Sequence, residues 1–209
     1  MEPAAPTTKH LDAHGITVLA HPIRSRILSY LRQRGASTAT DLAAALQTNT
    51  GATSYHLRKL DEVGLVEESA APADAAPGRG GRQRWWKPTT DRHSFVASDV
   101  AGDPDAIAAH NWLERHYLQL TTEQFSAWLD ESASWPLDWQ DASGLSDFSL
   151  TLSPTRARAL ADEMGAVLER FRTEPAEPAE PAVASDDSSA PARVRVHVLL
   201  HPATEHSRD

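Results

Sequence analysis

Between Ala20 and Val66, three helix signals follow one another across short turns, and this run constrains the fold more than any other part of the 209-residue chain. Pro22 suits a first helical position, and Leu19, Ile23, Ile27, Leu28 and Leu31 recur at three- and four-residue spacing until Gly35. Thr38 reads as the N-cap of a second helix, with Asp41 as its box-like partner and Leu42, Ala45 and Leu46 as its buried stripe. A third helix begins near Asn49 or Thr50, carries Thr53, Leu57, Leu60 and Val63 inward, and ends at Gly64, which suits the left-handed position after a helix. Some 45 residues is close to the smallest size that buries a shared core, so the three are expected to form one helix-turn-helix unit.

After Gly64, residues 65–68 read as a strand, and residues 83–87 as its antiparallel return before Pro88. The connection is too rich in Pro, Gly and Ala to pack, and it carries Arg79, Arg82 and Arg84 at or near its end. A hairpin with a basic tip beside a helix-turn-helix makes a winged helix, placed at residues 10–90.

A net charge of −9 argues against a polyanionic partner, because nucleic acid is bound mainly by Lys and Arg. The average conceals a division: residues 1–95 hold 12 basic and 9 acidic side chains, net +3, whereas residues 96–209 hold 8 and 20, net −12. Placing Leu57 and Leu60 in the core turns Thr50, Ala52, Ser54, Tyr55, Arg58 and Lys59 outward, and Asp61 and Glu62 fall at the far end. Hydroxyl, guanidinium and ammonium groups are what contacts to bases and phosphates require, and the N-terminal part of such a helix is what enters the major groove. Thr50, Ser54, Tyr55, Arg58, Lys59, Arg82 and Arg84 are therefore the expected DNA-binding residues. An ordinary solvated polar face would account for Arg58 and Lys59 taken alone.

The stretches LAHPIRSRILSYL, STATDLAAAL, TGATSYHLRKLDEVGLVEE and GRQRWWKP resemble the ArsR-like winged-helix transcriptional regulators, over roughly residues 11–88. The resemblance implies a homodimeric repressor or activator reading an imperfect palindrome in double-stranded DNA, with the helix around Ser54, Tyr55 and Arg58 in the major groove. It also puts His56 at that helix's inner edge, in a structural role. With no cysteine in the chain, thiolate sensing of metals is excluded. The pairs His10 and His14, His110 and Glu114, and His197 and His201 have four-residue spacing, the first two in sequence that reads as helical. None assembles the three or four ligands of a stable site, so no metal and no cofactor are expected.

The second half is read as a separate acidic region, 91–172, followed by a Glu-Pro-Ala linker at 173–192 and a C-terminal strand and tail at 193–209. A long helix is expected over 105–130. Trp112, Trp128, Trp135 and Trp139 crowd into 28 residues, the last two in a loop, and mark a core, a subunit interface or a pocket for an apolar or cationic small molecule. Residues 99–147 hold ten Asp and Glu against Arg115 alone, a composition that DNA repels. Phe148, Leu150 and Leu152 alternate as a strand; a helix opened by Pro154 carries Leu160, Met164, Val167, Leu168 and Phe171; and Val194, Val196, Val198 and Leu200 alternate again. The fold class expected is thus α+β: an N-terminal winged helix-turn-helix with a C-terminal helical and small α+β domain.

No nucleophile–base–orienter set and no Gly-rich phosphate loop is present, so an enzyme is not expected. Neither a transmembrane span nor a secretory signal is visible, which points to the cytoplasm and away from membranes. The function expected is a sequence-specific DNA-binding regulator, a dimeric repressor whose C-terminal domain dimerises or senses a small-molecule effector. The alternatives are a protein-interaction module with a winged helix that does not bind DNA, and a small-molecule sensor using the Trp-rich region.

Overall fold

A computed structural model describes residues 8–73, 83–173 and 191–203. Arg79, Arg82 and most of the Glu-Pro-Ala stretch lie outside the described residues. The chain falls into two compact units, one from Ala4 to Gln119 and one from Leu120 onward.

In the first unit, β1 (Thr8–His10) leads into α1 (Ala13–Leu19), α2 (Pro22–Arg34), β2 (Ser37–Thr38), α3 (Ala39–Ala45) and α4 (Thr50–Glu62). The hairpin is β3 (Val66–Ser69) and β4 (Trp85–Pro88), followed by β5 (Arg92–Ser94). Each boundary has a local cause. The Asp12 side chain caps α1 through the Gly15 amide, and Pro22 opens α2. The Thr38 and Asp41 side chains and backbone amides satisfy one another at 3.2 and 3.1 Å, the expected capping box. Asn49 Oδ1 accepts the Ala52 amide at 2.8 Å to start α4.

Helix α4 ends in a Schellman turn. Gly64, at φ +62°, donates to the Asp61 carbonyl at 2.7 Å, and Leu65 donates to that of Leu60 at 2.9 Å. Leu60 and Leu65, the hydrophobic pair that accompanies this turn, are both fully buried.

The wing sheet has the order β2-β4-β3, antiparallel throughout, with Ser37 opposite Trp86 and Glu67 opposite Lys87. Trp86 drops into a core formed with Leu19, Ile27, Leu28, Leu31, Leu42, Leu57, Leu60 and Leu65. Three details differ from expectation. Leu19 belongs to the separate helix α1, Ala43 is buried where Ala45 is exposed, and a parallel pair of β1 with β5, Thr8 opposite Arg92, closes the unit. His10 therefore lies in a strand and His14 in a helix, so the pair does not share a helical face.

The expected long helix is α5 (Pro104–Glu131), whose first half belongs to this unit and buries Ala106 and Leu113 in the same core. A polar chain fixes it there. Arg32 on α2 donates through Nε to the Thr90 carbonyl at 3.1 Å and lies 2.7 Å from His93 Nδ1. An arginine only donates, so Nδ1 accepts, and the ring proton sits on Nε2, 2.9 Å from the Tyr117 hydroxyl on α5. Burial, and then the Arg32 charge, lower the His93 pKa to about 4; burial raises that of Tyr117.

The second unit contains the end of α5, a 3-10 turn at Ser132–Ser134, α6 (Leu137–Asp141) and α7 (Pro154–Thr173). Trp139 lies in α6 rather than in a loop. The strands expected at 148–152 and 194–200 are not formed: among the described residues both segments lack regular secondary structure and a strand partner. Alternation shapes a strand only where a neighbour completes its ladder, and among the described residues neither segment has one. The overall class remains α+β, with a helical second half.

Two stability measurements test this account. Between His93's ordinary 6.5 and its folded value of about 4, the unfolded chain takes up the proton first. Stability should be complete above pH 6.5 and fall as pH drops toward 4, with a contribution from His93 of roughly 3 kcal/mol. Thermal unfolding of His93→Gln should show a flatter slope across that window; a slope equal to wild type would refute a neutral, buried His93. Asn49→Ala should lose about 1 kcal/mol in denaturant unfolding through the missing cap of α4.

Candidate nucleic-acid interface

The first two turns of α4 present an exposed polar surface. Thr50 and Gly51 are exposed at its start, Ser54 is half-buried, Tyr55 is 50% exposed and Arg58 is exposed. No acidic side chain occurs on the helix before Asp61. The amides of the first turn, apart from the one that Asn49 caps, add their partial positive charge to this end. The core face is as expected: Thr53, Leu57 and Leu60 are fully buried and Val63 is half-buried.

The expected cations are not equivalent. Arg58 Nε donates to the Ser54 carbonyl at 3.2 Å, which lays the guanidinium along the exposed face. Lys59 is ion-paired with Glu62 at 2.8 Å, and its ammonium stands 6.0 Å from the centre of the Tyr55 ring. The hydrogen bond and charge of Glu62 hold Lys59 above the usual lysine range. On the hairpin, Arg84 pairs with Glu68 and Lys87 with Glu67, both at 3.1 Å and both solvent-exposed. Exposed pairs of this kind are worth about 0–1 kcal/mol, so a phosphate could take the place of either carboxylate. Arg82 lies outside the described residues.

Sequence reading missed the neighbouring surface at the start of α2. His21 caps that helix by accepting the Ile23 amide at 3.2 Å, and its ring stands 4.5 Å from that of His56. His56 in turn lies 5.3 Å from Tyr55, edge to face. Burial, followed by neighbouring positive charge, lowers the pKa of both histidines; for His21 that charge is Arg24, and for His56 it is His21 and Arg24. Half-buried Arg24 therefore sits within electrostatic reach of the Tyr55–His56 edge of α4. Pro22 at the first helical position puts Arg24 in the first turn of α2, the one sequence cue to its place. His56 is buried among these groups, in keeping with a structural role.

Trp112 stacks on His116 at 4.8 Å in the first unit. In the second unit, Trp128, Trp135 and Trp139 form an edge-to-face file, at 5.5 and 6.2 Å. A surface depression there is lined by Leu150, Leu152, Arg156, Leu160 and Glu163 and includes none of them. Among the described residues, no group of three or more His, Asp or Glu could hold a metal ion, and no helix is long and apolar enough to cross a membrane.

Residues 19–69 match the family model described as a helix-turn-helix domain. No curated protein matches the chain. Among solved structures, the chain is similar to the homodimeric winged helix-turn-helix DNA-binding domain of a possible ArsR-family transcriptional regulator from Mycobacterium bovis, with 26% identity and a TM-score of 0.31. That match covers 38% of this chain and 64% of the Mycobacterium bovis domain, just under two thirds of its length. A transcriptional regulator homologue from Pyrococcus horikoshii OT3 is 23% identical over 49% of this chain and 87% of its own, with a TM-score of 0.30. Lactococcus lactis ZitR in complex with DNA is 18% identical over 71% of this chain and 73% of its own, with a TM-score of 0.28. The match falls on α2, α3, α4 and β3, the elements whose caps and shared core are described above. That likeness to a helix-turn-helix domain extends over about a quarter of the chain.

Proposed function

We propose that this chain is a sequence-specific DNA-binding transcriptional regulator, acting as a dimeric repressor in the cytoplasm and not as an enzyme. The observation that carries the reading is the start of α4: a capped helix N-terminus, exposed, free of acids through Lys59, and bearing Arg58. Winged-helix readers place this part of the second helix in the major groove, where Ser54 and Tyr55 would meet base edges or phosphate. Arg58 and Lys59 would anchor the helix, with Thr50 at its amide-rich start. Arg82 and Arg84 would grip the backbone from the wing, Arg84 exchanging Glu68 for phosphate. Arg24 joins this surface as a further cation.

In this reading, residues 10–90 are the DNA-binding domain, residues 91–172 the acidic region that faces away from DNA, residues 173–192 a linker, and residues 193–209 a C-terminal segment. The homodimeric state of the Mycobacterium bovis domain and the DNA complex of ZitR are in keeping with it. A small-molecule effector would bind at the tryptophans of the acidic region, Trp112, Trp128, Trp135 and Trp139, the last three of which form an edge-to-face file.

Fluorescence anisotropy with DNA from upstream of the chain's own gene tests the proposal. Wild type should bind with an affinity that falls steeply as salt rises. Arg58→Ala should weaken binding by roughly tenfold or more, and Arg84→Ala should reduce the salt slope by about one. Absence of salt-sensitive binding by a folded protein would refute the reading and favour a winged helix that docks another protein.

A further inference from the structure

The unit from Leu120 onward contains no buried residue among those described, yet it carries fifteen large hydrophobic side chains that are exposed. Phe148 is 81% exposed, Leu150 62%, Val194 62% and Val196 58%. Exposure of this kind, concentrated in one unit, marks a surface that another surface covers.

The composition of the stretch between α7 and the last described segment does not suit it as a cover. Residues 174–190 consist of Glu, Pro, Ala, Ser and Asp with Val183, and they cannot bury such a face. The backbone makes a second demand. Among the described residues, no backbone–backbone hydrogen bond involves 145–152 or 191–203, although both segments alternate apolar and polar residues as paired strands do. What covers them must therefore offer strand edges as well as apolar side chains.

A second copy of this chain meets both demands. Each copy brings one segment with Asp147, Ser149 and Thr151 as its polar residues, and one with Arg193 and Arg195 beside His197, whose Nδ1 lies 3.2 Å from the Thr121 hydroxyl of its own chain. Paired, they place polar groups and opposite charges on one face, and Phe148, Leu150, Leu152 and the valines on the other. The exposed apolar surface amounts to on the order of 1,000 Å² per copy, above the roughly 800 Å² that each partner gives to a standard interface. Helix α7 offers Met164, Val167 and Phe171, all exposed, for the apolar face of such a sheet to cover.

We infer that two copies of this chain associate through their second units, with residues 148–152 of one copy pairing as a strand with residues 194–200 of the other over the apolar faces of their α7 helices. The inference rests on the dimer reading above and adds the surface that forms it.

Sedimentation equilibrium of the full chain at about 1–100 µM, combined with hydrogen–deuterium exchange, tests it. Wild type should show twice the 22.8 kDa chain mass. The amides of 148–152 and 194–200 should be protected at the high concentration and lose that protection on dilution. Leu150→Asp and Val196→Asp should each weaken association at least 100-fold, with helical circular dichroism unchanged. A monomer at every concentration would overturn this inference and the dimer reading together. A wild-type dimer whose two variants dimerise equally well, or protection that is the same at 1 and 100 µM because the strands pair within one chain, would overturn this inference alone. DNA binding is measured independently of all three outcomes.

Discussion

Helices of seven and thirteen residues do not persist in water by themselves, so every other feature of the first unit depends on the leucine core they share. Leu28 and Leu31 from α2, Leu42 from α3, and Leu57 and Leu60 from α4 meet there, and Trp86 enters from the wing. The core also takes Ala106 and Leu113 from α5, which makes the first half of the long helix part of that unit. Burying one leucine side chain is worth about 1.5–3 kcal/mol, far more than any cap or surface ion pair here. Capping groups decide where the helices begin and end; the core decides that they exist. The orientation of α4, and with it the outward direction of Ser54, Tyr55 and Arg58, follows from the sinking of Leu57 and Leu60.

The electrostatics of the candidate interface are less basic than a residue count implies. Lys59, Arg84 and Lys87 each hold a glutamate, which leaves Arg58 without an acidic partner among the described residues. Such exposed pairs are weak, and a phosphate competes for the same cation with comparable geometry. On the proposed reading, this balance would lower the attraction for arbitrary polyanions and leave more of the discrimination to Arg58 and to the polar side chains beside it. Net charge over the whole chain describes neither unit.

Local grammar in the sequence is read correctly wherever the determinants lie within a few residues. Pro22, the Thr38–Asp41 box, the Asn49 start and Gly64 each act over one turn, and each stands where expected. The same holds for the inner and outer faces of α4. Pairings between distant residues escape such reading. The three-residue strand β1 is defined only by β5, 84 positions away, and the Arg32–His93–Tyr117 chain joins three elements with no shared spacing. Arg24 becomes notable only once α2 lies beside α4. In the second half the alternating segments carry a true period of two, but period alone cannot supply the neighbouring edge a strand needs.

The parallel pairing of Thr8–His10 with Arg92–Ser94 also bears on how the protein is made. A chain leaves the ribosome N-terminus first, so β1 waits for nearly ninety residues before its partner exists, and the leucine core waits longer still for Leu113. Until then α1 can pack against α2 and α4, but the strand before it has no edge to pair with. Closure of so long a loop is entropically costly and slow compared with helix formation, so it is a late event in folding. The pairing of β1 with β5 therefore completes the unit only after residues 92–94 have been made.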